Sequence, residues 1–253
     1  MPVNIPGLRA PTRERQPHMP PARHHTDHID GNTRMAAVQH TPTAVLHSNL
    51  SPGSPQWHAV RRSGIAASEI AAILGLSPYE TCEALLARRR GAPAAPLPPR
   101  NAGLAALGLR LEPEVADLFA GLHPEFTVAA TGMWQNIRRH WQLASPDRLL
   151  LSPARRILAL LEIETDPTGE GWGPDGTAQI PPHCRAQVQW QMDTLSVPLA
   201  YVALRIGDEE GRREYREYRI GHVPLEAAAA RAEAEAFLAL VRAGGGPDGR
   251  PGA

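Results

Sequence analysis

The sequence predicts an α/β domain, with a central mixed β-sheet flanked by α-helices, and three observations carry that prediction. Extended, apolar runs cluster between residues 126 and 220. Helical patterns come before them, among them and after them, the last over 225–242. The run from Ile157 to Ile163 is apolar enough for a central strand buried on both faces.

A chain of 253 residues with 42% hydrophobic content can bury a real core, and its length fits one compact domain with tails. The 26 basic residues, all arginine, balance 26 acidic ones, so the overall field lacks the footprint of a strongly basic nucleic-acid binder. Any site for a polyanion must be local. Cys82 and Cys184 do not make a disulfide framework, and no apolar h-region opens the chain, so a reducing, cytoplasmic location is expected. No stretch approaches the roughly 20 consecutive apolar residues of a membrane-spanning helix. The chain contains no lysine. Abundant Ala, Arg, Pro and Gly point to GC-rich coding, which exchanges Lys for Arg wherever charge alone matters, but a site that needs a compact ammonium is not served by that exchange.

Residues 1–53 are rich in Pro, Thr, His and Arg without a sustained period, and are expected to form a disordered arm, with 54–245 as the domain and 246–253 as a flexible tail. His24, His25 and His28 with Asp27 have the chemistry to bind a transition metal, but a solvated polar tract is the simpler reading and they are assigned no function. The change in composition at Met35 makes it an alternative start to Met1. Order is expected from Gln56 to Arg62, a helix with Trp57 and Val60 on one face and Arg61 one turn beyond Trp57. Ser68 reads as the N-cap of a helix through Ile70, Ile73 and Leu74 that stops at Gly75. Pro78 and Tyr79 break the chain before a helix from Thr81 to Arg90, and a Pro-rich loop covers 91–100. A helical segment over 102–121 is expected to be interrupted at Pro113, which places Glu112 at a kink. Strands follow at 126–130, 141–144 and 157–163, expected as neighbours in one sheet. A helix is expected from His183 to Leu195, strands at 200–206 and 215–220, and a final helix from Leu225 to Arg242. That last helix is expected to pack on the sheet through Leu225, Ala229, Ala232 and Phe237.

Three acids fall where elements end: Glu112 at the expected kink, Asp147 just after a strand, and Glu162 near the end of the buried strand. Taken singly, each has an ordinary explanation as a helix start, a turn residue or a solvated strand end. Together they form a hard-oxygen set that suits Mg²⁺ or Mn²⁺, ions that keep waters and engage phosphates.

The order of the flanking blocks adds to this. Trp57 to Ile70, Ile73 to Tyr79, Gly108 with Leu111-Glu112-Pro113, Ala144 to Asp147, Leu161 to Thr165 and Gln187 to Met192 together resemble the YqaJ-type viral recombinases, relatives of phage lambda exonuclease within the PD-(D/E)XK nuclease superfamily. The resemblance runs from about Trp57 to Pro247 and implies a restriction-endonuclease-like fold. It also implies a metal-dependent DNA exonuclease, running 5′ to 3′ on duplex ends in phage-type recombination. By the same resemblance Glu112, Asp147 and Glu162, with the backbone carbonyl of Ile163, would hold the metal, and Gln187 and Gln191 would be substrate-side glutamines. Arg61 and Ser68 fall where the family binds a 5′-terminal phosphate, a use that suits a guanidinium fork and a hydroxyl. Double-stranded DNA ends, a single-strand annealing protein and a trimeric ring are the implied partners. The simpler readings of these residues are a surface Arg, a helix cap and the polar face of an amphipathic helix. The segment Ala66–Tyr79 also reads superficially as a helix-turn-helix, but the residues that would form its reading helix, Glu80–Leu86, are not basic.

The family's catalytic lysine is expected two residues after the last acid, where this chain has Glu164. A carboxylate cannot stabilise charge on a phosphate as an ammonium does. It can act as a general base or a further metal ligand, and Arg155 or Arg156 of the preceding turn is a candidate source of charge. The alternative is a catalytically impaired protein of the same fold that binds DNA ends without cleaving them.

Overall fold

The computed structural model describes residues 38–47, 50–51, 53–93, 99–207 and 214–244. The expected arm up to residue 37, with His24, His25, His28, Asp27 and the alternative start at Met35, lies outside these residues, as does the tail 246–253. The last part of the expected arm is structured. Strand β1 (Ala44–Leu46) pairs antiparallel with β4 (Trp134–Asn136), Ala44 is fully buried, and the Thr43 hydroxyl donates to the Thr194 carbonyl at 3.1 Å. Three residues are too few to show a period.

Helix α1 (Pro55–Arg62) starts as its sequence dictates: Ser54 accepts from the Trp57 N–H at 3.2 Å, and Pro55 takes the first turn, where a missing N–H costs nothing. The two-residue strand β2 (Ile65–Ala66) then pairs in parallel with β5 (Gln142–Ala144). Helix α2 (Ala67–Ile73) corrects the expectation for Ser68, which lies inside the first turn and is not the N-cap. Ala66 holds the cap position, and the Glu69 carboxylate accepts its N–H at 3.0 Å. Helix α3 (Cys82–Arg89) lies within the expected Thr81–Arg90 span, and Thr81 is its N-cap. Its Arg88 and Arg89 both reach Glu69, which is buried, and Arg89 also donates to the carbonyls of Arg62 and Gly64. Glu69 therefore fastens α3 to α2, and Arg89 ties α3 to the turn before β2.

Helix α4 (Pro99–Leu122) is continuous through Pro113, so the expected interruption is absent. Proline removes one helical hydrogen bond. Leu111 on one side of it and Val115, Ala116 and Phe119 on the other are all buried, and that packing holds the axis together.

The larger sheet has the order β3 (Thr127–Ala130), β6 (Arg148–Leu151), β7 (Ile157–Asp166), β8 (Leu199–Ile206), β9 (Glu214–Gly221). All neighbours are antiparallel except β7 and β8, which run in parallel and are joined through helix α5 (Pro182–Leu195). The smaller sheet has the order β1, β4, β5, β2. The three strands expected side by side are therefore placed differently: β6 lies between β3 and β7, and β5 belongs to the other sheet.

Strand β7 is apolar from Ile157 to Leu161 because both of its faces are covered there. Ala159 and Leu161 pack with Leu150, Ala203 and the α4 residues Val115 and Phe119. Leu160 faces the other way, onto Val188 and Met192 of α5. Helix α6 (Pro224–Ala243) buries Ala227, Ala230, Ala234 and Phe237, while Leu225 is 83% exposed and Ala229 and Ala232 are also exposed. Its core face is thus offset from the one expected, and Ala230, Ala234 and Phe237 pack with α2, α3 and Trp190 of α5 instead of the sheet.

Candidate active site

Strands β6 and β7 form a hairpin whose turn, 152–156, is at one end and whose open end carries the acids. Asp147 immediately precedes β6, and Arg148 is in register with Leu161, the residue before Glu162. The side chain of Asp147 crosses to β7, where Oδ2 accepts the Ile163 N–H at 2.7 Å. Glu162 and Glu164, two residues apart, share the face covered by α5. Gln187 and Gln191, one turn apart on that helix, each donate an amide N–H to Glu162: Gln187 to Oε1, and Gln191 to Oε2 at 2.9 Å. Glu164 lies beside the thiol of Cys184, on the same side of α5. Glu112 comes from the opposite face of the sheet, on α4, and accepts from Arg148 Nη1 at 2.5 Å.

Burial and repulsion raise the proton affinity of this cluster. The Asp147 carboxyl is pushed up to about 7, chiefly by burial, with the Ile163 N–H pulling it down and Glu112 pushing it up. Glu162, 5% exposed, is held well above the usual carboxylate range by burial and by the charges of Asp147 and Glu164, against the two glutamine N–H groups. Glu164 is pushed up to about 7 by burial and then by Asp147.

Among the described residues no group of three or more His, Cys, Asp or Glu side chains is arranged to hold a metal ion. The reason is visible in the contacts: the acids face protein donors, Glu162 the two glutamines, Asp147 an N–H, and Glu112 a guanidinium. The donor chemistry nonetheless fits a hard divalent cation, since crowded carboxyls with raised proton affinity are what a cation would relieve. Ile163, expected to contribute its carbonyl, meets Asp147 through its N–H.

Arg61 and Ser68, the residues of the second expected site, also meet. Arg61 Nη2 donates to the Ser68 hydroxyl at 2.6 Å, and the guanidinium lies 5.0 Å from the Trp57 ring centroid, within cation–π range. Arg155 and Arg156, by contrast, are exposed in the turn at the far end of the hairpin. The four residues of β6 separate them from the acids by roughly 13 Å.

Two residues of the site escaped the sequence reading. Arg148 directly follows the motif Asp and is assigned no role by the sequence reading. Cys184 precedes Gln187 and Gln191 by three and seven residues, a helical spacing that would have placed it on their face.

The mixed α/β architecture is that of solved exonucleases. It is similar to the alkaline exonuclease LHK-Exo from Laribacter hongkongensis, with a TM-score of 0.56 at 19% identity over 75% of this chain and 93% of that one. LHK-Exo in complex with dAMP gives a TM-score of 0.55 at 20% identity over the same shares. A phage-related exonuclease from Haemophilus somnus 129PT gives 0.51 at 9% identity over 70% of this chain and 93% of that one. Residues 56–195, more than half of the chain, match the YqaJ-like viral recombinase domain, and the chain belongs to that family. No curated protein matches it. Among the described residues no helix is long and apolar enough to cross a membrane.

Proposed function

We propose that the protein is a metal-dependent DNA exonuclease of the PD-(D/E)XK type that degrades duplex ends 5′ to 3′ in phage-type recombination. The observation that carries this reading is the meeting of Glu112, Asp147, Glu162 and Glu164 at the open end of the β6–β7 hairpin, in a chain of the YqaJ-like family. Glu112, Asp147 and Glu162, with the Ile163 carbonyl, would hold Mg²⁺ or Mn²⁺. When bound, such an ion polarises the phosphodiester and lowers the pKa of the attacking water.

The remaining work falls to the chain's own groups. Gln187 and Gln191 orient Glu162 and favour its ionised form. Glu164, with a carboxyl near 7, is poised to take the proton of the water as it attacks phosphorus and the bridging oxygen leaves. Arg61 and Ser68 would receive the 5′-phosphate, with Trp57 behind the guanidinium. A trimeric ring around the duplex and a single-strand annealing partner belong to the same reading.

A second reading, binding of DNA ends without cleavage, is favoured by Glu164 itself. It adds a negative group, paired with a thiol, where an anionic phosphate must approach. Digestion of linear duplex DNA with and without a 5′-phosphate, in Mg²⁺, Mn²⁺ and chelator, separates the two. Metal-dependent loss of duplex that disappears in Asp147→Ala, with a preference for the phosphorylated end, is the expected result. Unchanged cleavage by Asp147→Ala would refute the site, and end binding without cleavage in either metal would establish the second reading.

A further inference from the structure

Four carboxyls converge at the hairpin's open end, and a phosphodiester brought to them adds a fifth anionic group. The side chain of Arg148 meets this cluster from the α4 side. It begins β6 two residues before Leu150, whose side chain packs under α4, so Arg148 projects on that same face, beside Glu112. Its guanidinium is only 17% exposed. Both of its hydrogen bonds among the described residues use one nitrogen: Nη1 donates to Glu112 Oε1 at 2.5 Å and to the Asp147 carbonyl at 2.7 Å. One corner of the planar fork is thus pinned, and Nη2 and Nε remain as a donor pair for a planar or tetrahedral oxyanion. A guanidinium held in place by two acceptors has lost its rotamer freedom before substrate arrives, which is the condition for strong stabilisation of a phosphate.

We infer that Arg148 is a phosphate-contacting catalytic residue of this site, anchored by Glu112 and the Asp147 backbone and directed at the internucleotide phosphate under attack. This rests on the reading of the site as one that receives DNA ends. The bland alternative is a counterion whose sole task is to neutralise Glu112 and Asp147. A counterion would compete with a divalent cation for Glu112, whereas a phosphate ligand would sense charge on the DNA.

The test is equilibrium binding of a 5′-phosphorylated duplex end in Ca²⁺, comparing a natural first internucleotide phosphate with an uncharged methylphosphonate there. Wild type, Arg148→Met, Arg148→Gln and Arg148→Lys are measured, each with a thermal melt to establish folding. Wild type should prefer the charged linkage by about tenfold more than Arg148→Met does, the scale of one charged hydrogen bond. Arg148→Lys should retain part of that preference, and Arg148→Gln, which can still reach Glu112, should lose it. Equal preference in wild type and both neutral variants overturns the inference, as does tighter Mn²⁺ binding with faster cleavage in Arg148→Met. Charge discrimination in a wild type that never cleaves leaves the Arg148 contact standing and removes the nuclease reading. Failure of wild type to bind ends removes the reading of the site and the contact with it.

Discussion

The Cys184 thiol, in the first turn of α5, lies close enough to the Glu164 carboxyl on β7 for each to shift the other's proton affinity. Cys184 is 4% exposed, and burial together with the charges of Glu164 and Glu162 pushes its thiol far up. Reactivity follows the thiolate, so this sulfur should be inert in the folded protein. Titration with a thiol reagent at pH 8 should modify Cys82, which is only half-buried, and spare Cys184 until denaturant is added. Prompt modification of both in the native state would contradict the packing of α5 on β7.

The raised carboxyls make stability depend on pH in an unusual direction. Asp147 and Glu164 titrate near 7 when folded, against ordinary values of 3.8 and 4.5, so between those limits the folded state binds more protons than the unfolded one. The contribution of these groups to stability is complete below about pH 4 and is lost as pH rises through 7. Asp147→Asn should therefore gain on wild type in thermal midpoint as pH rises from 5 to 8. Added Mg²⁺ or Mn²⁺ should raise the wild-type midpoint more at pH 8 than at pH 5, an effect reduced in the variant. A variant that tracks wild type at both pH values would show that Asp147 is not strained.

Gln191 sets one favourable contact against one unfavourable one. Its Nε2 donates to the buried Glu162, while its Oε1 is buried without a hydrogen-bond partner. Gln191→Leu removes both. While Glu162 holds its proton the two terms offset and urea unfolding should shift by less than about 1 kcal/mol. Once the carboxyl ionises it loses a donor it needs, and the loss should grow with rising pH to about 1.5–3 kcal/mol. Equal losses across the pH range would mean that the amide acts only by filling space.

Gly64 joins α1 to β2 at a point of close backbone approach. A Cβ there would sit 2.3 Å from the Trp141 carbonyl oxygen, whose acceptor role toward the Ile65 N–H ties β2 to the start of β5. The obstruction is backbone and cannot swing aside, so Gly64→Ala should destabilise by about 3 kcal/mol, the upper end of overpacking costs. Because α1 carries Arg61, DNA-end affinity should fall as well. A stable variant with normal end binding would deny that this turn positions Arg61.

The limits of α1, α3, α5 and α6 were legible to within one or two residues because local chemistry marks them. Pro55, Pro182 and Pro224 stand at first turns, and Ser54 and Thr81 supply caps. Ser68 misled because a backbone N–H at Ala66 found a better acceptor in Glu69, whose position is fixed by arginines of another helix. Strands β1, β2, β4 and β6 were missed because they hold three, two, three and four residues, too few for a period, and exist only by pairing with partners outside their own segment. The acids could be read from their order along the chain. Arg148 could not, since it meets Glu112 only once α4 is packed; Cys184 could be placed beside Gln187 and Gln191 by its spacing, but not beside Glu164 on β7.

Helix α5 brings several dependencies onto fourteen residues. Val188 and Met192 close the core of the larger sheet, and Trp190 lies in the cluster formed with α2 and α6. Asp193 receives Arg139 and Arg231, and Gln187 and Gln191 address Glu162. A chain emerging from synthesis therefore has its acids in sequence long before it has them in space. Any opening that frees α5 disperses the cluster, so on the proposed reading a half-folded copy has no assembled acids to present to DNA.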